Sequence, residues 1–280
     1  PTPLTPLIAI LIQTSGAVAR LMWTLEASDM SAVFRGSSVV DVAIVIGAGS
    51  SIGSSLIDEL ANDESVDRIV AIGRTIVPAH LERSDKISYL RSDYSEESIG
   101  AACTDLVPIK GTITQIIICI GILHTDEISP EKRLEDISAS SMREVLHVNT
   151  VIPLLWLAKL TPLLKSKNTC RVAVLSARVG SIEDNRSGGW YSYRASKAAL
   201  NMLIKTTAIE LRRRAPNVKL IAFHPGTTDT RLSKPFQRSV PEGKLFTPEF
   251  VAKALLGLLK TLDPDTEEEF FDWNGQPVPW

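Results

Sequence analysis

A short apolar run rich in β-branched residues, Val39 to Ile46, stops at Gly47-Ala48-Gly49-Ser50-Ser51-Ile52-Gly53. An amphipathic stretch follows, Ser54 to Ala61, with Leu56, Ile57 and Leu60 on one face. Strand, glycine turn and helix in this order constrain the chain most, because they open a parallel α/β unit. Glycines let the backbone approach a pyrophosphate, and the helix N-terminus offers unpaired N–H groups and a positive dipole end. The spacing departs from G-x-G-x-x-G, since Gly53 falls one residue late. A P-loop is excluded because no Lys-Ser or Lys-Thr closes the turn. The plain alternative is a connection that uses glycine only for close packing.

Strand and helix patterns alternate along the rest of the chain. Strands are expected near 39–46, 66–73, 86–92, 113–120, 170–176, 217–223 and 269–273. Helices are expected near 52–61, 95–103, 138–166, 190–213 and 247–261. Ile113 to Ile120 is apolar almost without alternation, as a central parallel strand covered on both faces must be. The fold class is therefore α/β: a Rossmann-type doubly wound parallel sheet of about seven strands with helices on both faces, in one domain spanning 39–280. In such sheets ligands bind beyond the carboxyl ends of the strands. Gly47, Arg74, Asp93, Gly121, Ser176 and Pro225-Gly226 stand at those ends and are expected to share one edge.

Length and composition set bounds on the class. A chain of 280 residues that is 44% hydrophobic can bury one large core. Its net charge of −2 gives no footprint for nucleic acid. The basic run Arg212-Arg213-Arg214 ends a predicted helix, where it complements the negative dipole end. Three scattered cysteines, Cys103, Cys119 and Cys170, argue against a disulfide framework or metal site and fit a reducing, cytoplasmic setting. Residues 1–38 read as an extension, disordered or loosely docked, with a remnant of an organelle-targeting peptide as the alternative. Its apolar run Leu7 to Ile12 is too short to span a bilayer, and no membrane partner is expected.

The chemistry centres on Tyr193-Arg194-Ala195-Ser196-Lys197, which sets a phenol and an ammonium one helical turn apart on the same face. A neighbouring cation favours the phenolate, so Lys197 is expected to draw the Tyr193 pKa downward, towards exchange with a carbonyl or alcohol oxygen. Tyr191 has Ala195 where a lysine would be needed.

The glycine turn and the Tyr-Lys pair together resemble the short-chain dehydrogenase/reductase family, whose turn reads G-x-x-x-G-x-G. Gly47 and Gly53 hold its outer positions, while Ser51 stands at the middle glycine. The resemblance runs from about Val39 to the C-terminus. Ser176 to Ile182, Gly188 to Tyr193, His224 to Thr230 and Asp272 to Trp280 are similar to the C-factor and sniffer-like carbonyl reductase branch.

That resemblance implies an NADPH-dependent reductase of aldehydes or ketones, with alcohol oxidation as the reverse. Tyr193 would be the general acid/base, Lys197 its partner and holder of the nicotinamide ribose, and Asn149 part of a proton relay. Gly47, Ser50, Ser51, Ile52, Gly53, Asp93, Gly121, Pro225, Gly226, Thr228 and Thr230 would line the cofactor. Arg74, where an acidic residue would select NAD(H), favours the 2′-phosphate of NADP(H), with Ser50 beside it. The family's serine falls at Ala177, so a neighbouring hydroxyl must replace it. Ser181 is preferred because its loop can face the pocket, whereas Ser176 at a strand end points to the other side. Residues 231–247 are expected to cover the substrate, and His124 and His147 to pack or line the pocket.

The helices with Asn149 and Tyr193 form a homodimer in many relatives and not in others. A nucleotide-binding signalling protein with weak or lost catalysis is the alternative, carried by Ala177 and by Ile118-Cys119-Ile120 in place of the family's Asn-Asn-Ala. A sugar-nucleotide epimerase needs more chain after Lys197 than remains.

Overall fold

The structure is a computed structural model that describes residues 41–75, 84–267 and 269–280. The expectation for residues 1–38 lies outside the described residues. Seven strands form one parallel sheet: β1 Val42–Ile46, β2 Arg68–Gly73, β3 Ile87–Arg91, β4 Ile113–Ile118, β5 Cys170–Leu175, β6 Val218–His224 and β9 Phe270–Asp272, in the order β3-β2-β1-β4-β5-β6-β9. Strand order reverses between β1 and β4, which opens a crevice at their carboxyl ends. A separate pair, β7 Thr227–Thr228 and β8 Leu245–Phe246, lies beyond β6.

Side-chain alternation along the strands feeds two cores. On β1, Val42, Ile44 and Ile46 enter one, and Ala43 and Val45 the other. The first core takes Trp156, Leu160, Leu200 and Ile204 from α4 (Ile152–Leu164) and α5 (Tyr191–Arg214), with Ile99 from α2 (Glu96–Asp105). The second takes Leu56 and Leu60 from α1 (Ser51–Ala61) and Leu255 and Leu259 from α6 (Pro248–Thr261). Cys103, Cys119 and Cys170 are free and buried. Among the described residues, Ala139–Leu164 is long and apolar enough to cross a bilayer, but Trp156, Leu157, Leu160 and Leu163 are turned into the first core.

The helix expected over 138–166 divides into α3 (Ala139–Leu146), a π-helical turn over His147–Val151, and α4. Pro153 explains the division. It has no N–H to offer the Asn149 carbonyl four residues back, so the regular ladder cannot close there. The widened turn carries Asn149.

Candidate active site

The glycine turn is shaped by close backbone approach. Gly47 has φ +92°, and a Cβ on it would lie 2.7 Å from the Cys119 carbonyl oxygen at the end of β4. A Cβ on Gly53 would press into the Gly47 carbonyl. Ser50 caps α1: its hydroxyl accepts from the Gly53 N–H at 3.0 Å and donates to the Gly47 carbonyl at 2.8 Å. Within the turn, that hydroxyl is engaged by the backbone on both sides of it. Ser51 and Ile52 open α1, where first-turn N–H groups have no partner within the helix.

Arg74 follows β2, exposed, with its guanidinium carbon 5.9 Å from the centroid of the Tyr94 ring. Tyr94 takes a left-handed φ of 70° and packs edge-on against Trp156. Asp93 is exposed, and its carboxylate accepts the Ser95 N–H at 2.9 Å. Ser95, not Asp93, caps α2.

Tyr193 and Lys197 project from one buried face of α5, with the ammonium 5.9 Å from the phenol ring centroid. Lys197 Nζ donates to the Leu175 carbonyl at 2.9 Å. A Cβ on Gly121 would sit 3.4 Å from Asn149 Oδ1 and 3.5 Å from Lys197 Nζ. Gly121 thus brings the lysine and asparagine against the loop that leaves β4, itself in contact with Gly47. Asn149 is fully buried. Its Oδ1 accepts the Ile122 N–H at 2.7 Å, and its Nδ2 donates to the Ile122 carbonyl at 2.8 Å and to the Ser196 hydroxyl at 3.0 Å.

The expected downward pull of Lys197 on Tyr193 is not what this arrangement produces. Burial pushes the Tyr193 phenol up to about 12 and the Lys197 ammonium down to about 8. Both charged forms lose hydration in the same apolar wall, and the ammonium is turned onto a strand-end carbonyl.

Ser181 is also corrected. Its hydroxyl donates to the Trp280 carbonyl at 3.1 Å and accepts from the Asp184 N–H at 3.1 Å, tying the loop to the C-terminal segment. Neighbouring Gly180 packs too close to the Lys197 backbone to carry a Cβ, which sets this loop directly against α5. Ser176 donates to Asn201 Oδ1 at 2.5 Å, on the other side as alternation required. Ala177 is the residue packed with Tyr193, alongside Leu123.

Gly226 has φ +70° with Phe246 and Trp273 filling the space a Cβ would need. Thr228 is buried and donates to the Pro225 carbonyl at 3.4 Å, while the Thr230 N–H donates to Ser233 Oγ at 3.3 Å. The covering segment turns through a 3-10 helix at Lys234–Ser239. From it Phe236 reaches Trp190, with centroids 5.0 Å apart, and His124 at 5.9 Å. Trp190 meets the Tyr193 ring edge-on at 6.2 Å. Leu123, Val179, Trp190, Leu232 and Phe236 complete an apolar wall around the phenol. Sequence reading missed Trp190, although Gly188-Gly189 directly before it signals an unusual backbone (φ 61° and 63°, then 51° at Trp190).

Residues 41–240 match the family model for short chain dehydrogenase. The chain belongs to that family. It is an oxidoreductase family, and the parallel sheet with Tyr193 and Lys197 at its carboxyl edge is the form expected of a member. Among curated relatives, 1-hydroxy-2-glutathionyl-2-methyl-3-butene dehydrogenase of Rhodococcus sp. (strain AD45) is 29% identical over 86% of this chain and 100% of the relative. C-signal of Myxococcus xanthus is 32% identical over 52% of this chain and 83% of its own. Among solved structures, the carbonyl reductase Sniffer of D. melanogaster superposes with TM-score 0.73 at 19% identity, covering 87% of this chain and 100% of that one. NADPH-bound carbonyl reductase from chicken fatty liver gives TM-score 0.73 at 22% identity, covering 89% and 98%. Likeness at such low identity shows the fold.

Proposed function

We propose that this chain is an NADPH-dependent carbonyl reductase acting on neutral, apolar aldehydes or ketones. The observation that carries the reading is the meeting of Lys197 and Asn149 at Gly121, beside the crevice where strand order reverses, with the Tyr193 ring next to the Lys197 ammonium. Backbone positions where a Cβ cannot fit, Gly47 and Gly53, suit close approach of a pyrophosphate to the start of α1. Ser51, Ile52, Asp93, Pro225, Gly226, Thr228 and Thr230 would line the rest of the dinucleotide. Exposed Arg74 at the end of β2 would meet a 2′-phosphate, which supports NADP(H) over NAD(H). When bound, the nicotinamide supplies hydride to the carbonyl carbon.

Tyr193 gives its phenol proton to the carbonyl oxygen as the alcohol forms. With a pKa raised to about 12 it stays protonated at neutral pH, the state in which a reductase's acid must wait. Lys197 holds a positive charge beside the oxygen as it becomes negative, and Asn149 anchors the loop over which protons return to the phenol. The wall of Leu123, Val179, Trp190, Leu232 and Phe236 excludes water and favours an uncharged substrate. A cytoplasmic location is supported by the three free cysteines, and a homodimer through the helices with Asn149 and Tyr193 by exposed Val151 in the π-turn and Met202 and Ile209 on α5.

A second reading, nucleotide binding with residual catalysis in signalling, draws on Ala177 beside the phenol and on the likeness to C-signal. Titration with NADPH by fluorescence, then NADPH consumption against a panel of aldehydes, ketones and quinones, separates the two. Binding with turnover is expected of the reductase; binding without turnover across the panel favours the second reading.

A further inference from the structure

The entry into α5 cannot hold itself. Gly188, Gly189 and Trp190 are three successive left-handed residues, and Trp190, at the capping position, makes no side-chain cap. First-turn N–H groups left without acceptors would fray the turn that carries Tyr193. The acceptor comes from elsewhere in the chain. Glu131, buried in the connection between β4 and α3, takes the Ser192 N–H on Oε2 at 3.1 Å and the Ser192 hydroxyl on Oε1. Its backbone carbonyl takes the Trp190 N–H at 2.6 Å. A Cβ on Gly189 would come within 3.5 Å of that carbonyl, so the two segments lie against each other. A carboxylate at this end of a helix also meets the positive end of its dipole.

We propose that Glu131 is a positioning residue for Tyr193. Its carboxylate holds Ser192, the preceding residue, and its carbonyl holds Trp190, whose ring packs against both Tyr193 and Phe236. One buried residue thereby fixes the height of the phenol through its side chain and the wall beside it through its backbone. The idea rests on the reductase reading, since its main readout is turnover.

The test compares Glu131→Ala, Glu131→Gln and Ser192→Ala in the full chain. NADPH affinity, kcat and KM for a carbonyl compound turned over by the wild type, and hydrogen exchange across residues 186–194 are measured. Glu131→Ala is expected to lower kcat about ten- to a hundredfold, since small misplacement of a reacting group carries losses of that order. KM should stay within about twofold, because substrate contacts are not removed. Exchange should quicken at 190–194 and not further along α5. Glu131→Gln keeps an acceptor oxygen for Ser192 and should restore most of kcat. Unchanged kcat in Glu131→Ala, or Glu131→Gln as impaired as Glu131→Ala, overturns the proposal.

Should Glu131→Ala not fold, Ser192→Ala decides. It keeps the N–H contact and loses the hydroxyl, and a fewfold drop in kcat supports the latch while full activity overturns it. Wild type that binds NADPH with no turnover defeats the reductase reading by itself. The latch is then judged on exchange: faster at 190–194 in Glu131→Ala supports it, unchanged overturns it.

Discussion

Burial decides the protonation of the two central side chains. Lys197, with its pKa lowered to about 8, is charged at neutral pH and loses that charge as pH rises through about 8. Tyr193, raised to about 12, remains a protonated acid across the same range. Reduction should therefore slow above about pH 8 because the ammonium is lost, not because the phenol ionises. A pH profile of kcat/KM with a falling alkaline limb near 8 checks this; a limb appearing only near pH 10 or above contradicts it. Ala177 supplies a second test. It packs with Tyr193 where a hydroxyl would donate to the developing oxyanion. Ala177→Ser should raise kcat by about tenfold, short of the hundredfold or more that a built-in donor supplies. Steady-state kinetics reads the change directly.

The elements were more legible in the sequence than the contacts between them. The run Ile113 to Ile120 announced a doubly covered strand, and β4 is that strand, because periodicity reports burial on each face. Gly47 and Gly53 announced a tight turn, and each is packed where a Cβ cannot fit. Ser181 misled. Nothing local shows that its hydroxyl will be taken by Trp280, a partner distant in sequence. Glu131 was invisible for the same reason, its partner Ser192 lying across the fold. The π-turn at Asn149 could have been read from Pro153, whose missing N–H breaks the ladder there. For the turn itself, Gly53→Ala must displace the Gly47 carbonyl. That should cost about 1–3 kcal/mol by overpacking, and weaken NADPH binding, because the displaced carbonyl belongs to the turn facing the cofactor. Denaturant unfolding and NADPH titration check both effects.

At the level of the whole molecule, ion pairs fasten β9 to the loop after β5 and to α5. Arg178 pairs with Asp184 at 3.4 Å and Asp272 at 3.1 Å, joining the loop after β5 to the end of β9. Lys205 and Arg212 on α5 both pair with buried Glu269 beside β9. Beside the Arg178 pairs, at the end of β6, His224 is held down to about 4, first by burial and then by the Arg178 charge. An unfolded chain binds this proton from about 6.5 downward, so stability falls as pH drops from there through 4. The loss should approach roughly 3 kcal/mol, because each tenfold difference in proton affinity between the folded and unfolded chain is worth about 1.4 kcal/mol. His224→Phe should flatten that acid slope of Tm against pH, and an unaltered slope would count against the assignment.

The central claim is that one buried phenol delivers the proton, and Tyr193→Phe removes only its hydroxyl. Measured on one preparation by NADPH fluorescence titration and by turnover of a carbonyl substrate, it should keep NADPH affinity within about twofold. The same preparation should lose about a thousandfold in kcat/KM, within the span general acids supply. Turnover that survives the substitution unchanged would contradict the account.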